Sequence, residues 1–187
     1  MRKLVLALLF FISSNAFCQT VAFKDFNWGD SFDVVKSKDN ITPSRVLNYK
    51  MLAYETQLLD QKFELAYLFK TGFLNSVSYT SIFDHDFSKA VKVFKELESI
   101  LNQKYGQPWN KDENLGQSKN TKLELAIYDN DVSFGYWWEY PKGDIVLSIK
   151  SRTQSNDKVT VSIGYLPNDS EIEKIQKLSD NELKKMI

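Results

Sequence analysis

The stretch Asp86–Gly106, DFSKAVKVFKELESILNQKYG, limits the fold more than any other part of the chain. Phe87, Ala90, Val91, Phe94, Leu97, Leu101 and Tyr105 recur at the i, i+3, i+4, i+7 spacing of a single helical stripe. Lys89, Lys92, Lys95, Glu96, Glu98 and Lys104 fall on the other side and face water. Asp86 or Ser88 can accept the free N–H groups of the first turn, and Gly106 followed by Pro108 supplies a stop. A stripe of this kind must be buried against something, and what flanks it reads as strands.

Before it come a short capped helix, Phe32 to Lys38, and a loop ending at Pro43. Three strands follow, Arg45 to Glu55, Lys62 to Lys70 and Phe73 to Phe83, with a hairpin signal at Thr71-Gly72. The alternation puts Leu74, Ser76, Ser78 and Thr80 on one side of the third strand and Phe73, Val77, Tyr79 and Ile82 mostly on the other. After the helix, Gln107 to Asn120 reads as a long polar loop. Strands are expected at 123–128, Val132 to Tyr140, Asp144 to Ser151 and Lys158 to Leu166, with turns at 130–131, 141–143 and 155–157. The last segment, 169–187, is an amphipathic helix expected to dock loosely. Consecutive hairpin-linked strands imply an α+β fold: an antiparallel sheet with helices on one face. Each half starts with a capped helix and contains a glycine hairpin, at Gly72 and at Gly143. This outlines an internal duplication of a helix-strand-strand-strand unit.

The N-terminus is a processing signal. Met1-Arg2-Lys3 is followed by the apolar run Leu4 to Ile12 and by small polar residues, the pattern of a secretory signal peptide over 1–18. The apolar run falls far short of the ~20 residues of a spanning helix. Cleavage is expected before Gln19, with Phe17 as the alternative. A lipid-modified Cys18 ranks third, because the bulky Phe17 precedes it. Cys18 is the only cysteine, so a chain cut after it has no disulfide, no thiol nucleophile and no cysteine metal site. Residues 19–187 suffice for one self-supporting domain, since chains near this size bury about 70% of their unfolded surface.

Charge narrows the function. Twenty-four basic residues balance 24 acidic ones, and removal of Arg2 and Lys3 tips the balance slightly acidic. Nothing collects phosphates, so a nucleic-acid partner is not expected. No cofactor fingerprint is present. His85, the single histidine, stands in Asp84-His85-Asp86, a tripeptide too local to make a metal site; Asp86 is expected to cap the long helix. No nucleophile elbow accompanies it.

The aromatic content is 14%, and it concentrates in Phe134-Gly135-Tyr136-Trp137-Trp138-Glu139-Tyr140. On a strand, Phe134, Tyr136, Trp138 and Tyr140 share one face while Trp137 lies opposite with Gly135 and Glu139. One face is core. An exposed Trp137 edged by Glu139, with Tyr136 in the same stretch, is a candidate anchor, because large aromatics dominate interfaces. Trp109, the one aromatic residue of the 107–120 loop, is a second candidate.

Trp28-Gly29-Asp30-Ser31-Phe32-Asp33-Val34-Val35 resembles the W-G-x-S-x-x-x-V opening of many small exported bacterial proteins. Leu47-Asn48-Tyr49, Tyr67-Leu68-Phe69, Gly72-Phe73-Leu74 and Tyr105-Gly106-Gln107-Pro108 continue that pattern in order, over roughly residues 26 to 108. The chain thereby resembles folds of the beta-lactamase-inhibitor-protein type and the small outer-membrane assembly lipoproteins. The resemblance implies an envelope-located, non-enzymatic protein that binds another envelope or secreted protein, and it carries over no catalytic residue. Beside this expectation stand a small-ligand or glycan binder using strand 134–140, and an enzyme, which would need a deep pocket with convergent groups.

Overall fold

Strand alternation sorts most of the buried apolar residues onto one side of a single antiparallel sheet. A computed structural model describes residues 26–38, 42–114, 133–151 and 158–185. The leader 1–18 with Cys18, the strand expected at 123–128, and the turns at 130–131 and 155–157 lie outside these residues.

Among the described residues there are three helices and eight strands, an α+β fold. In chain order they are α1 (Phe32–Lys38), β1 (Arg45–Leu47), β2 (Met51–Leu58), β3 (Gln61–Lys70), β4 (Phe73–Asp84), α2 (Phe87–Tyr105), β5 (Asn110–Asn114), β6 (Ser133–Tyr140), β7 (Gly143–Ser151), β8 (Lys158–Pro167) and α3 (Asp169–Lys185). The sheet order is β1-β2-β3-β4-β8-β7-β6-β5. Two meanders therefore meet where β4 pairs with β8, Val77 opposite Tyr165 through Asp84 opposite Lys158.

Leu52, Tyr67, Leu74 and Val77 from the first meander join Trp138, Leu147, Val161 and Ile163 from the second in one buried cluster. Val91, Phe94 and Leu97 of α2, Val35 of α1 and Ile175 of α3 belong to the same cluster. Each large apolar side chain so buried contributes about 1.5–3 kcal/mol. The stripe read from Asp86–Gly106 forms α2: Asp86 accepts from the Lys89 N–H at 3.1 Å, and the Gly106 N–H donates to the Asn102 carbonyl at 3.0 Å. His85 stands just outside this cap at φ 58°, a conformation histidine tolerates better than most residues.

The W-G-x-S stretch is a structural knot. The Trp28 indole N–H donates to the Lys142 carbonyl of the β6–β7 turn at 2.7 Å. Gly29 sits at φ 84° and donates to the Leu74 carbonyl. Ser31 Oγ accepts the Val34 N–H at 3.3 Å, opening α1.

Three strand expectations change. The single strand expected over Arg45 to Glu55 is broken at Asn48-Tyr49-Lys50, with Tyr49 at φ 49°, into a hairpin of β1 and β2. In β4 the register slips, so that Leu68 faces Ser76 while Phe69 faces Leu74. The extra residue turns Leu74 into the core beside Val77 and Tyr79; beyond it plain alternation from Val77 and Tyr79 puts Ile82 on the far side, 58% exposed. Within the expected 107–120 loop, residues 110–114 form β5, paired with β6; the rest of that loop lies outside the described residues.

Three phenols lie in or against this core. Burial raises Tyr136, Tyr140 and Tyr165 above the usual phenol range, and Tyr136 is raised further by its hydrogen bond to Glu113. Unfolded, each loses its proton near pH 10. The folded state keeps the proton where the unfolded chain gives it up. The stability tied to these protons is thus present below the unfolded value near pH 10 and is lost as pH rises through and above it, most of all at the deeply buried Tyr165. Melting temperature should drop between pH 9 and 11, with a shallower slope in Tyr165→Phe. A flat profile in both proteins would refute this.

Candidate interaction surface

Strand β6 carries the aromatic run at the β5 side of the sheet, and its alternation decides which rings are accessible. Phe134, Tyr136 and Trp138 are buried on the helix side and Tyr140 is half-buried against them. The Tyr136 ring lies 5.4 Å from that of Phe94. Its hydroxyl donates to Glu113 at 2.7 Å, and the Lys111 ammonium sits 4.4 Å over the ring and 3.4 Å from Glu98. Tyr136 is thus a core residue locking β5 and α2 to β6, and it adds nothing to an outer surface. Lys111–Glu98 is a partly exposed pair worth at most about 1 kcal/mol.

Trp137 and Glu139 occupy the opposite face, Trp137 half-buried and Glu139 exposed. The indole lies over Gly135: a Cβ at Gly135 would come within 2.6 Å of the ring. Strand pairing sets Asn110 and Val146 opposite Trp137, and Asp112 and Ser148 opposite Gly135. Next across the sheet, Ser148 and Ser162 share a hydroxyl contact of 2.8 Å, and Ser78 faces Gly164. The indole therefore stands at the rim of a floor of small residues. On the far side of that floor, Met51, Ala53 and Ala66 form a second buried cluster.

Trp109 is 58% exposed, and its N–H donates to the Trp137 carbonyl at 2.9 Å. The structure thereby joins at the backbone two tryptophans that the sequence offered as separate candidates. Sequence reasoning missed β5 and the shelf role of Gly135. The second had a visible signal, a glycine two residues before a tryptophan in a strand, the spacing that shares a face.

The surface offers apolar anchoring and hydrogen-bonding groups. Two shallow hollows of about 400 and 440 Å³ run along α2, past Lys95 and Ser99, and neither is lined by Trp137. Among the described residues no three His, Cys, Asp or Glu side chains converge as metal ligands. No described helix is long and apolar enough to cross a membrane. Comparison with protein-family models, with curated proteins and with solved structures returns no match to this chain.

Proposed function

We propose that the chain is an exported, non-enzymatic protein-binding module of the bacterial cell envelope, periplasmic or secreted, that acts as an inhibitor or assembly factor. Its binding surface is the sheet face opposite the helices, with Trp137 as the anchor and Trp109 and Glu139 at its side. The observation that carries this reading is the half-buried Trp137 indole laid on Gly135 at the rim of the small-residue floor. A large ring held in place by its own strand loses little freedom on binding, the property of an interface hot spot. The leader-like N-terminus and the ordered W-G-x-S to Y-G-x-P pattern support export. The mirrored strand order, with β4 and β8 at the centre, supports the internal duplication.

The experiment is a crosslinked capture of tagged protein from its native envelope, followed by binding of the purified partner. Trp137→Ala should weaken that binding about 30-fold, the scale of a 2 kcal/mol hot spot, with melting temperature little changed. Gly135→Ala should weaken it too, because the new methyl displaces the ring without deleting it. Binding that survives Trp137→Ala would sink the assignment of this face. A second reading has its own observation: the indole is bordered by Asn110, Asp112 and Ser148, hydrogen-bonding groups suited to a sugar stacked on the ring. Tryptophan fluorescence that shifts with an added glycan, and not with a protein partner, would favour it.

A further inference from the structure

The sheet face opposite the helices is crossed by one straight row of residues. Among the described residues, the buried apolar side chains of all three helices join the inner cluster. The opposite face turns out Leu47, Leu68, Ile82 and Leu166, at 50%, 37%, 58% and 40% exposure. From Trp137 the register runs through Val146, Gly164, Ser78 and Ala66 to Ala53. Asn110 on β5 and Arg45 on β1 end the row. Side-chain size falls along it, from an indole and an isopropyl group at one end to glycine, serine and two alanines. The Arg45 guanidinium, 2.7 Å from Glu64, borders the small end. Asp112, paired with Gly135, borders the large end.

Resting on the assignment of the Trp137 face as the binding surface, we propose that its occupant is a second copy of this chain, stacked face to face about a two-fold axis along the β4–β8 seam. The seam is the middle of the strand order. A two-fold axis there turns the row end for end, so that β6 of one copy lies over β2 of the other. Trp137 and Val146 then come over the alanine end of the partner's row, and each copy supplies both the large end and the small end. Gly164 and Ser78 meet at the axis, where small side chains let two sheets approach to about 10 Å. The same rotation carries Arg45 over the β5 strand that holds Asp112, so the charges at the row ends are complementary. Lys62 and Lys150 meet only at the margin, where long side chains reach water. Eight strands about 4.8 Å apart, with outward residues about 7 Å apart along each, make a face of roughly 34 Å by 20 Å. That is about 700 Å² per copy, close to the ~800 Å² per partner of a standard stable interface. A second copy and an envelope partner therefore compete for one face.

Analytical ultracentrifugation of the purified protein over a concentration series tests this. It should dimerise with a dissociation constant in the micromolar range or below, as interfaces of this area do. Trp137→Ala should weaken the dimer at least about 30-fold, the loss of a hot spot. Ser78→Lys sets two like charges beside the axis and should leave a monomer. Its melting temperature should stay close to that of the parent, because Ser78 is only half-buried on the outer side. Val146→Lys repeats the charge test one strand from Gly164 should Ser78→Lys fail to fold. A protein that stays monomeric at about 100 µM would overturn the proposal. So would a dimer that persists in Trp137→Ala and in the folded lysine variant, since it would use another surface. Crosslinked capture of the envelope partner separates the two readings: a monomeric protein whose capture is lost in Trp137→Ala keeps the binding face and removes only the second copy as its occupant.

Discussion

Gly143→Ala is expected to destabilise the protein by about 4 kcal/mol, far above the ~1 kcal/mol of a typical point substitution. Gly143 opens β7 at φ 150°, and an added Cβ would sit 1.8 Å from the Leu166 carbonyl oxygen. That atom is backbone, held in the β7–β8 ladder where Gly143 faces Pro167 and Asp144 faces Leu166. No side chain can move aside, so the strand ends must part. The Trp28 bond to the Lys142 carbonyl lies one residue away and would be disturbed with them. Urea unfolding should show a midpoint lowered by about 2 M with an unchanged slope. Gly72→Ala is the control: Gly72 has φ 84° but nothing within 4 Å of an added Cβ, and should lose only about 1 kcal/mol. Equal losses at both sites would mean that backbone conformation, and not the Leu166 carbonyl, sets the requirement at Gly143.

The second large effect is at Trp138, which is 1% exposed beneath α2. Its indole N–H points to the Gly106 carbonyl at 3.0 Å and to Asn102 Oδ1 at 3.2 Å. Gly106 ends α2, where carbonyls have no partner within the helix. Trp138 therefore both fills the core and satisfies the helix end. Trp138→Ala should cost about 4 kcal/mol, and Trp138→Phe, which keeps most of the volume and loses the donor, about 1–2 kcal/mol. Circular dichroism during urea titration measures both. A phenylalanine variant as unstable as the alanine one would show that the hydrogen bonds outweigh the packing, reversing this account.

Helix α2 was legible because stripe, cap and stop all pointed the same way. Strands β3, β6, β7 and β8 were legible because alternation is strong where one side is buried. The misreadings have physical causes. At Asn48-Tyr49-Lys50 the alternation runs on through the turn, so pattern alone merged β1 with β2. In β4 one extra residue at a register slip reversed the face of Leu74, while Ile82 was grouped with Val77 and Tyr79 although strict alternation puts it opposite them. The β5 sequence, Asn-Lys-Asp-Glu-Asn, has no apolar period, since an edge strand is held by backbone pairing and by Tyr136–Glu113 across to β6. Gly143 was read as a turn residue, while its constraint comes from β8, distant in sequence. For the candidate surface, alternation placed Trp137 and Glu139 on the side away from the core. The same alternation puts Tyr136 on the core side with Phe134 and Trp138, so it does not belong with the surface candidates; that Trp109 is bonded to Trp137 could not be read from it.

The seam between β4 and β8 fixes the order in which this protein can be finished. The partner of residues 77–84 is made some 80 residues later. At a synthesis rate of roughly 5–20 residues per second, that gap lasts about 4–16 s. Throughout it the first meander exposes the unpaired N–H and C=O groups of a long strand, with Val77 and Tyr79 uncovered beside them, the kind of edge that recruits other chains. Neither meander is complete alone, and the closing step joins distant parts of the sequence, which makes it slow. The newborn chain therefore passes through a window in which one long strand edge stands open to other chains until β8 closes the sheet.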